Sequence, residues 1–142
     1  MPATDFKQNP SSSGSAVRRP HILLVDEATT DREHYRQLLH DNGFEVWACS
    51  NYDDGARCLD SKQFDGIVVD QGSPAFEGRR VLEHSVTIDR CLPVIVITRY
   101  HDMGCYLEAM QLGAVDYLEK PLTAQAIIWV LKTHLPSANL AA

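Results

Sequence analysis

The sequence predicts an α/β domain built on a doubly wound parallel sheet, with five strands alternating with five helices. Three observations carry this reading. Residues 22–25, 67–69 and 94–97 are short, unbroken apolar runs rich in β-branched side chains, the pattern of strands buried on both faces. The stretches between them have apolar residues at helical spacing, with helix-start residues before them and glycine after several. The strand-like runs end abruptly in polar residues, so in a parallel sheet those residues share one edge.

Composition narrows the class. A chain of 142 residues forms one domain with a single substantial core. The net charge is −6, and residues 1–20 are themselves basic, with Lys7, Arg18 and Arg19 against Asp5, so the acid excess lies in the body. An acidic body argues against nucleic acid as a partner. Cys49, Cys58, Cys91 and Cys105 lack CxxC or metal spacing and read as small core residues of a protein in the reducing cytosol. No apolar run approaches the ~18–20 residues of a membrane helix, and the N-terminus lacks the apolar stretch of a signal peptide. Residues 1–20, with Pro2, Pro10, Pro20 and the run SSSGS, read as a disordered leader; the domain is expected over 21–135, with 136–142 a short tail.

The elements follow in order. Residues 22–25 form the first strand, ending at Asp26 and Glu27. Thr30-x-x-Glu33 is a capping-box signature, Tyr35, Leu38 and Leu39 follow at helical spacing, and Gly43 stands at the helix end. Phe44, Val46 and Ala48 alternate with Glu45 and Trp47, as in an edge strand. Asn51 opens a second helix to about Ser61, with Ala56 and Leu59 inward and Gly55 a liability. The third strand, 67–69, runs into Asp70 and then Gly72, Ser73 and Pro74, residues that punctuate turns. A helix over 77–86 uses Val81 and Leu82; Pro93 leads the fourth strand into Thr98; a helix over 102–112 ends at Gly113. Val115, Tyr117 and Leu118 make a short fifth strand before Glu119, Lys120 and Pro121, and Thr123 caps a last helix to about Leu135.

Asp26, Glu27, Asp70, Thr98 and Lys120 thus converge on one sheet edge from four segments. Three crowded carboxylates repel unless a cation or shared proton relieves them. Oxygen donors without His or Cys suit a hard ion such as Mg2+. Lys120 offers a point charge to an anion and Thr98 a hydroxyl donor. That set describes phosphoryl transfer, in which a carboxylate can itself become the nucleophile and carry an aspartyl phosphate.

LLVDE (23–27), VVDQGSP with Gly78 (68–78), VIVIT (94–98) and GAVDYLEKP (113–121) together resemble the receiver domain of two-component response regulators in its CheY-like single-domain form. The resemblance covers about residues 20–135 and implies a flavodoxin-like (βα)5 sheet in order 2-1-3-4-5. It implies Asp70 as phosphoacceptor, Mg2+ held by Asp26, Glu27, Asp70 and the Gly72 carbonyl, Lys120 on a phosphoryl oxygen, and Thr98 and Tyr117 as switch residues, with Tyr117 turning inward after Thr98. It implies a protein that accepts phosphate from a histidine kinase or histidine phosphotransfer protein, rather than an enzyme of turnover. Several positions depart from the usual pattern: an Asp-Glu pair stands in place of Asp-Asp and Arg99 in place of a small residue, while Gly72 and Tyr100 occupy positions that vary in the family. Arg99 and Glu27 leave open a second reading, a receiver-like fold acting as a non-phosphorylated interaction module. A flavodoxin-like small-ligand binder is disfavoured because no Gly-rich or hydroxyl-rich phosphate loop is present.

No DNA-binding or catalytic pattern follows Leu135, so output is expected through protein contacts. In the last helix Ile127, Val130, Leu131 and Leu135 make a core stripe that leaves Ile128 and Trp129 over. The face of the fourth helix, fifth strand and fifth helix is therefore the expected docking or homodimer surface.

Overall fold

The computed structural model describes residues 18–136. Residues 1–17 of the expected leader (1–20) and 137–142 of the expected tail (136–142) lie outside them; Pro20, placed in the leader, is buried and its carbonyl accepts the Glu45 amide at 2.9 Å. The elements are β1 (His21–Val25), α1 (Thr29–Asp41), β2 (Glu45–Cys49), α2 (Tyr52–Ser61), β3 (Gly66–Asp70), α3 (Arg79–Ile88), β4 (Val94–Thr98), α4 (Met103–Leu112), β5 (Asp116–Glu119) and α5 (Ala124–His134). All neighbouring strands are parallel, in the order β2-β1-β3-β4-β5. This is the flavodoxin-like arrangement expected from the sequence.

The register aligns Leu24 with Val68 and Val68 with Ile95 across the three central strands. Side chains alternate between faces along a strand, so two cores result. Leu23, Val25, Ile67, Val69, Val94 and Val96 pack with Leu59 of α2, Val81 and Leu82 of α3, and Cys105 and Ala109 of α4. Ile22, Leu24, Val68, Ile95 and Ile97 pack on the other face with Tyr35 and Leu39 of α1 and Ile127, Val130 and Leu131 of α5. Each such aliphatic side chain contributes about 2 kcal/mol on burial, which explains why unbroken apolar runs mark these strands.

Caps set most helix starts. Asn51 accepts from the Asp54 amide, Asp102 from the Cys105 amide, and Thr123 from the Ala126 amide. The expected capping box in α1 does not form. Ala28 is the N-cap without a side-chain bond, and Thr30 lies inside the helix. The reason is that Asp26 Oδ1, at the end of β1, already accepts the Ala28 amide at 3.0 Å. That bond turns the chain directly from strand into helix, and Glu33 pairs instead with Arg36. α3 begins at Arg79 rather than at residue 77, because the Glu77 carboxylate folds back onto the Ser73 amide at 2.7 Å and stabilises a turn.

Two further expectations change. Cys91 is exposed and Cys58 half-buried, so only Cys49 and Cys105 are core residues. Cys49 and Cys58 place their sulfurs 3.5 Å apart, and burial, reinforced by Cys58, pushes the Cys49 thiol up to about 12. Gly55 is not a liability but a packing requirement. A Cβ there would lie 2.7 Å from Val25 Cγ2 and 3.4 Å from Val81 Cγ2. The absence of that carbon lets α2 settle directly on the sheet.

This contact predicts that Gly55→Ala lowers stability by about 1–3 kcal/mol through overpacking, even though alanine favours helix. Urea unfolding monitored by circular dichroism reads the change. A midpoint equal to or above that of the parent protein would show that Val25 retreats freely.

Candidate functional site

The site lies at the carboxyl edge of β1, β3, β4 and β5. Each apolar strand ends there because its last residue leaves the two-sided core, and polar side chains follow. Asp26, immediately after β1, is 1% exposed. Its Oδ1 accepts the Ala28 amide, and its Oδ2 accepts Lys120 Nζ at 2.8 Å. Asp70 closes β3. Its Oδ1 pairs with Lys120 Nζ at 2.8 Å, while Oδ2 accepts the Gly72 amide at 2.9 Å and stands 3.5 Å from the Tyr52 hydroxyl. Gly78 keeps the start of α3 against Asp70, since a Cβ there would lie 2.2 Å from the Asp70 carbonyl oxygen. Its amide donates to the Gln71 carbonyl at 3.0 Å.

Lys120 follows β5 with its side chain only 3% exposed. The Lys120–Pro121 peptide is cis. The loop is buttressed by Tyr35 of α1, whose hydroxyl accepts the Leu122 amide at 3.0 Å. Burial alone would lower the Lys120 pKa, but hydrogen bonds to Asp26, Asp70 and Asp31 outweigh it and push the pKa up. Lys120 is therefore a permanent cation here. Burial raises the Asp26 pKa, and the nearby Asp70 charge adds to it against the Lys120 hydrogen bond. Burial and the charges of Asp70, Glu27, Asp26 and Glu77 also raise the Tyr52 pKa, which keeps that hydroxyl neutral.

The structure brings together Asp26, Asp70 and Lys120. It leaves Glu27 exposed beside them, its backbone carbonyl 3.5 Å from an Arg32 nitrogen. Thr98 is buried, and its Oγ1 donates to the Tyr100 carbonyl at 2.8 Å and accepts the Tyr100 amide at 3.1 Å. Tyr117 is already inward. Its hydroxyl donates to Oε1 of buried Gln71 and accepts the Asp102 amide at 3.2 Å. Gln71 supplies the acceptor that holds the Tyr117 hydroxyl in this inward position.

Among the described residues, no three His, Cys, Asp or Glu side chains are already gathered in metal-holding geometry. The donor set nevertheless fits a hard divalent cation. Asp26 and Asp70 are carboxylates opposed by one shared ammonium, and Glu27 is exposed next to them, so the set is rich in oxygen donors.

Three contributors escaped the sequence reading: Asp31, Gln71 and Tyr52. Asp31 Oδ2 lies 2.9 Å from Lys120 Nζ and also binds Arg99. Burial works to raise its pKa, but the hydrogen bonds from Lys120 and Arg99 hold it below the usual carboxylate value. A usable signal existed: a helix starting directly after β1 must present its first turn to the same edge. Gln71 and Tyr52 gave no comparable signal, since each looked like an ordinary loop or helix-start residue.

The raised Asp26 pKa makes the stability of the fold depend on pH. Above its folded pKa the buried charge opposes folding; below 3.8, where it is protonated in both states, the penalty vanishes. Asp26→Asn is therefore expected to be more stable than the parent protein at neutral pH without divalent ions, with the gap closing as pH falls through the carboxylate range. Urea denaturation across that range, in chelator, measures it; an Asn variant less stable at neutral pH would refute it.

Comparison with known proteins agrees with this geometry. The family model for the response regulator receiver domain matches residues 22–132. The chemotaxis protein CheY of Pseudomonas aeruginosa is 35% identical over 111 residues, covering 75% of this chain and 88% of CheY. The transcriptional regulatory protein FixJ of Bradyrhizobium diazoefficiens is 30% identical over 125 residues; the match covers 86% of this chain but only 60% of FixJ. The crystal structure of a response regulator receiver domain protein from Clostridium thermocellum superposes with a TM-score of 0.74 at 28% identity, covering 81% of this chain and 93% of that one. With its sheet order, its buried Lys120 between Asp26 and Asp70, and a family match that spans most of its length, the chain belongs to the response regulator receiver domains, signalling modules of two-component systems that are phosphorylated on an aspartate.

Proposed function

We propose that this is a cytoplasmic phosphoacceptor in which Asp70 takes a phosphoryl group from the phosphohistidine of a histidine kinase or phosphotransfer protein. The observation that carries the reading is Lys120 Nζ, 2.8 Å from both Asp26 Oδ2 and Asp70 Oδ1. One Asp70 oxygen attacks phosphorus; the P–O bond forms as the P–N bond breaks, and the imidazole leaves with the electron pair. Lys120 holds the carboxylate and offsets charge on the transferred group. Thr98 releases the Tyr100 carbonyl to donate to a phosphoryl oxygen. Asp26, Glu27, Asp70 and the Gly72 carbonyl are the residues that would hold Mg2+, which supplies charge neutralisation when bound.

The signal leaves by protein contact. Tyr117 touches Asp102, the N-cap of α4, and stacks edge-on with Tyr106 of that helix at 5.6 Å between ring centroids. Trp129 on α5 is 68% exposed and borders a shallow cleft with Leu118 of β5 and Ala126. Tyr100, Met103 and Leu107 are exposed nearby in the chain before and within α4. This α4-β5-α5 face suits a downstream protein or a second copy of the chain. Glu27 in the acidic pair, and Arg99 held by Asp31 at the end of β4, favour a second reading, an interaction module that is not phosphorylated.

Two measurements decide between them. With a small phosphodonor and Mg2+, intact-mass spectrometry is expected to show one added phosphoryl group, lost entirely in Asp70→Asn. Labelling that survives the substitution would remove Asp70 from the role, and no labelling of the parent would favour the interaction module. Trp129→Ala is expected to weaken phosphoryl-analogue-dependent self-association or partner binding by about tenfold or more, as for an interface hot spot. Full retention in a folded variant would exclude Trp129 from the output face.

A further inference from the structure

We propose that Asp31 is a positioning residue that competes with the phosphoryl group for both cations of the site, Lys120 and Arg99. The proposal rests on the phosphoacceptor reading above and deepens it. An ammonium has three donors, and three carboxylate oxygens surround Lys120 Nζ: Asp26 Oδ2 at 2.8 Å, Asp70 Oδ1 at 2.8 Å and Asp31 Oδ2 at 2.9 Å. Lys120 can reach a phosphoryl oxygen only by giving one of them up. Asp26 is the most deeply buried of the three and would be left uncompensated. Asp70 carries the phosphoryl group itself. Asp31, with a side chain 16% exposed in the first turn of α1, is the partner that water can take over.

The same Asp31 oxygen binds the Arg99 guanidinium. Arg99 follows Thr98 at the end of β4 and has a side chain 54% exposed, so the pair spans the mouth of the site from β4 to α1. An acid in a first helical turn can sit there merely to complement the helix dipole. Such an acid would be expected to engage backbone amides. The hydrogen bonds to the Asp31 carboxylate come instead from two cationic side chains of other segments.

The consequence is an internal anion that must be displaced. A phosphoryl dianion at Asp70 draws Lys120 from Asp31, while Asp31 keeps its hold on Arg99 and so withholds that cation from the phosphoryl group. Asp31 thereby weakens the phosphorylated state and strengthens the site's demand for a divalent cation.

Asp31→Asn separates these effects because it removes charge while keeping shape. Two titrations are made on the folded protein: Mg2+ alone, followed by intrinsic fluorescence, and beryllofluoride at saturating Mg2+. The variant is expected to bind Mg2+ severalfold more weakly and beryllofluoride roughly three- to tenfold more tightly, from the loss of one partly screened charge. Adding Arg99→Ala to Asp31→Asn is expected to remove much of the gain. A purely structural role would weaken both ligands, so weakening of both, or no change in either, overturns the proposal while leaving Asp70 in its role. If the parent protein binds Mg2+ but takes up no beryllofluoride, the phosphoacceptor reading fails and this inference fails with it.

Discussion

A buried ammonium among three carboxylates is the constraint on which the rest of this structure depends. Lys120 brings a charge into a site where the side chain is nearly inaccessible, and such a charge is tolerable only when fully paired. Asp26, Asp31 and Asp70 do the pairing from three different elements, so β1, α1, β3 and the loop after β5 must meet at one point. The sheet order achieves this by placing β1 and β3 side by side, with β4 and β5 beyond them. Tyr35 then fixes the Lys120 loop from beneath, joining the α1–α5 core to the site.

The backbone around that point is set by close approaches. The Cβ missing from Gly78 allows α3 to begin against the Asp70 carbonyl, and the Cβ missing from Gly55 allows α2 to rest on Val25. Tyr52 at the start of α2 consequently reaches the Asp70 carboxylate. Apolar packing in the lower half of the sheet and charge placement at its edge are therefore one problem. A shift of either helix would move groups that touch Asp70.

Hydrogen bonds that can be exchanged link the site to the start of α4. Thr98 spends its hydroxyl on Tyr100, and Tyr117 spends its own on Gln71, the residue after Asp70. Tyr117 also meets Asp102, whose carboxylate caps α4. A phosphoryl group competing for Thr98 would disturb the β4–α4 loop and, through it, the helix start. Such exchangeable pairs give a two-state element its switch.

How much of this was legible in the sequence follows from the range of the forces involved. Residues 67–69 and 94–97 had to be two-sided strands, and Ile127, Val130 and Leu131 a core stripe, because burial acts on side-chain patterns a few residues long. The polar strand ends Asp26, Asp70, Thr98 and Lys120 were readable for the same reason: a parallel sheet puts all its carboxyl ends on one edge. The capping box at Thr30 misled because Asp26, outside the helix, had already set its start. The cost assigned to Gly55 misled because a propensity knows nothing of Val25. The pairing of Arg99 with Asp31, the sharing of Lys120 among three acids, and the hold of Gln71 on Tyr117 join residues far apart in the chain. Only the folded chain decides such contacts, since electrostatic and hydrogen-bond partners are chosen by distance in space, which tertiary packing alone supplies.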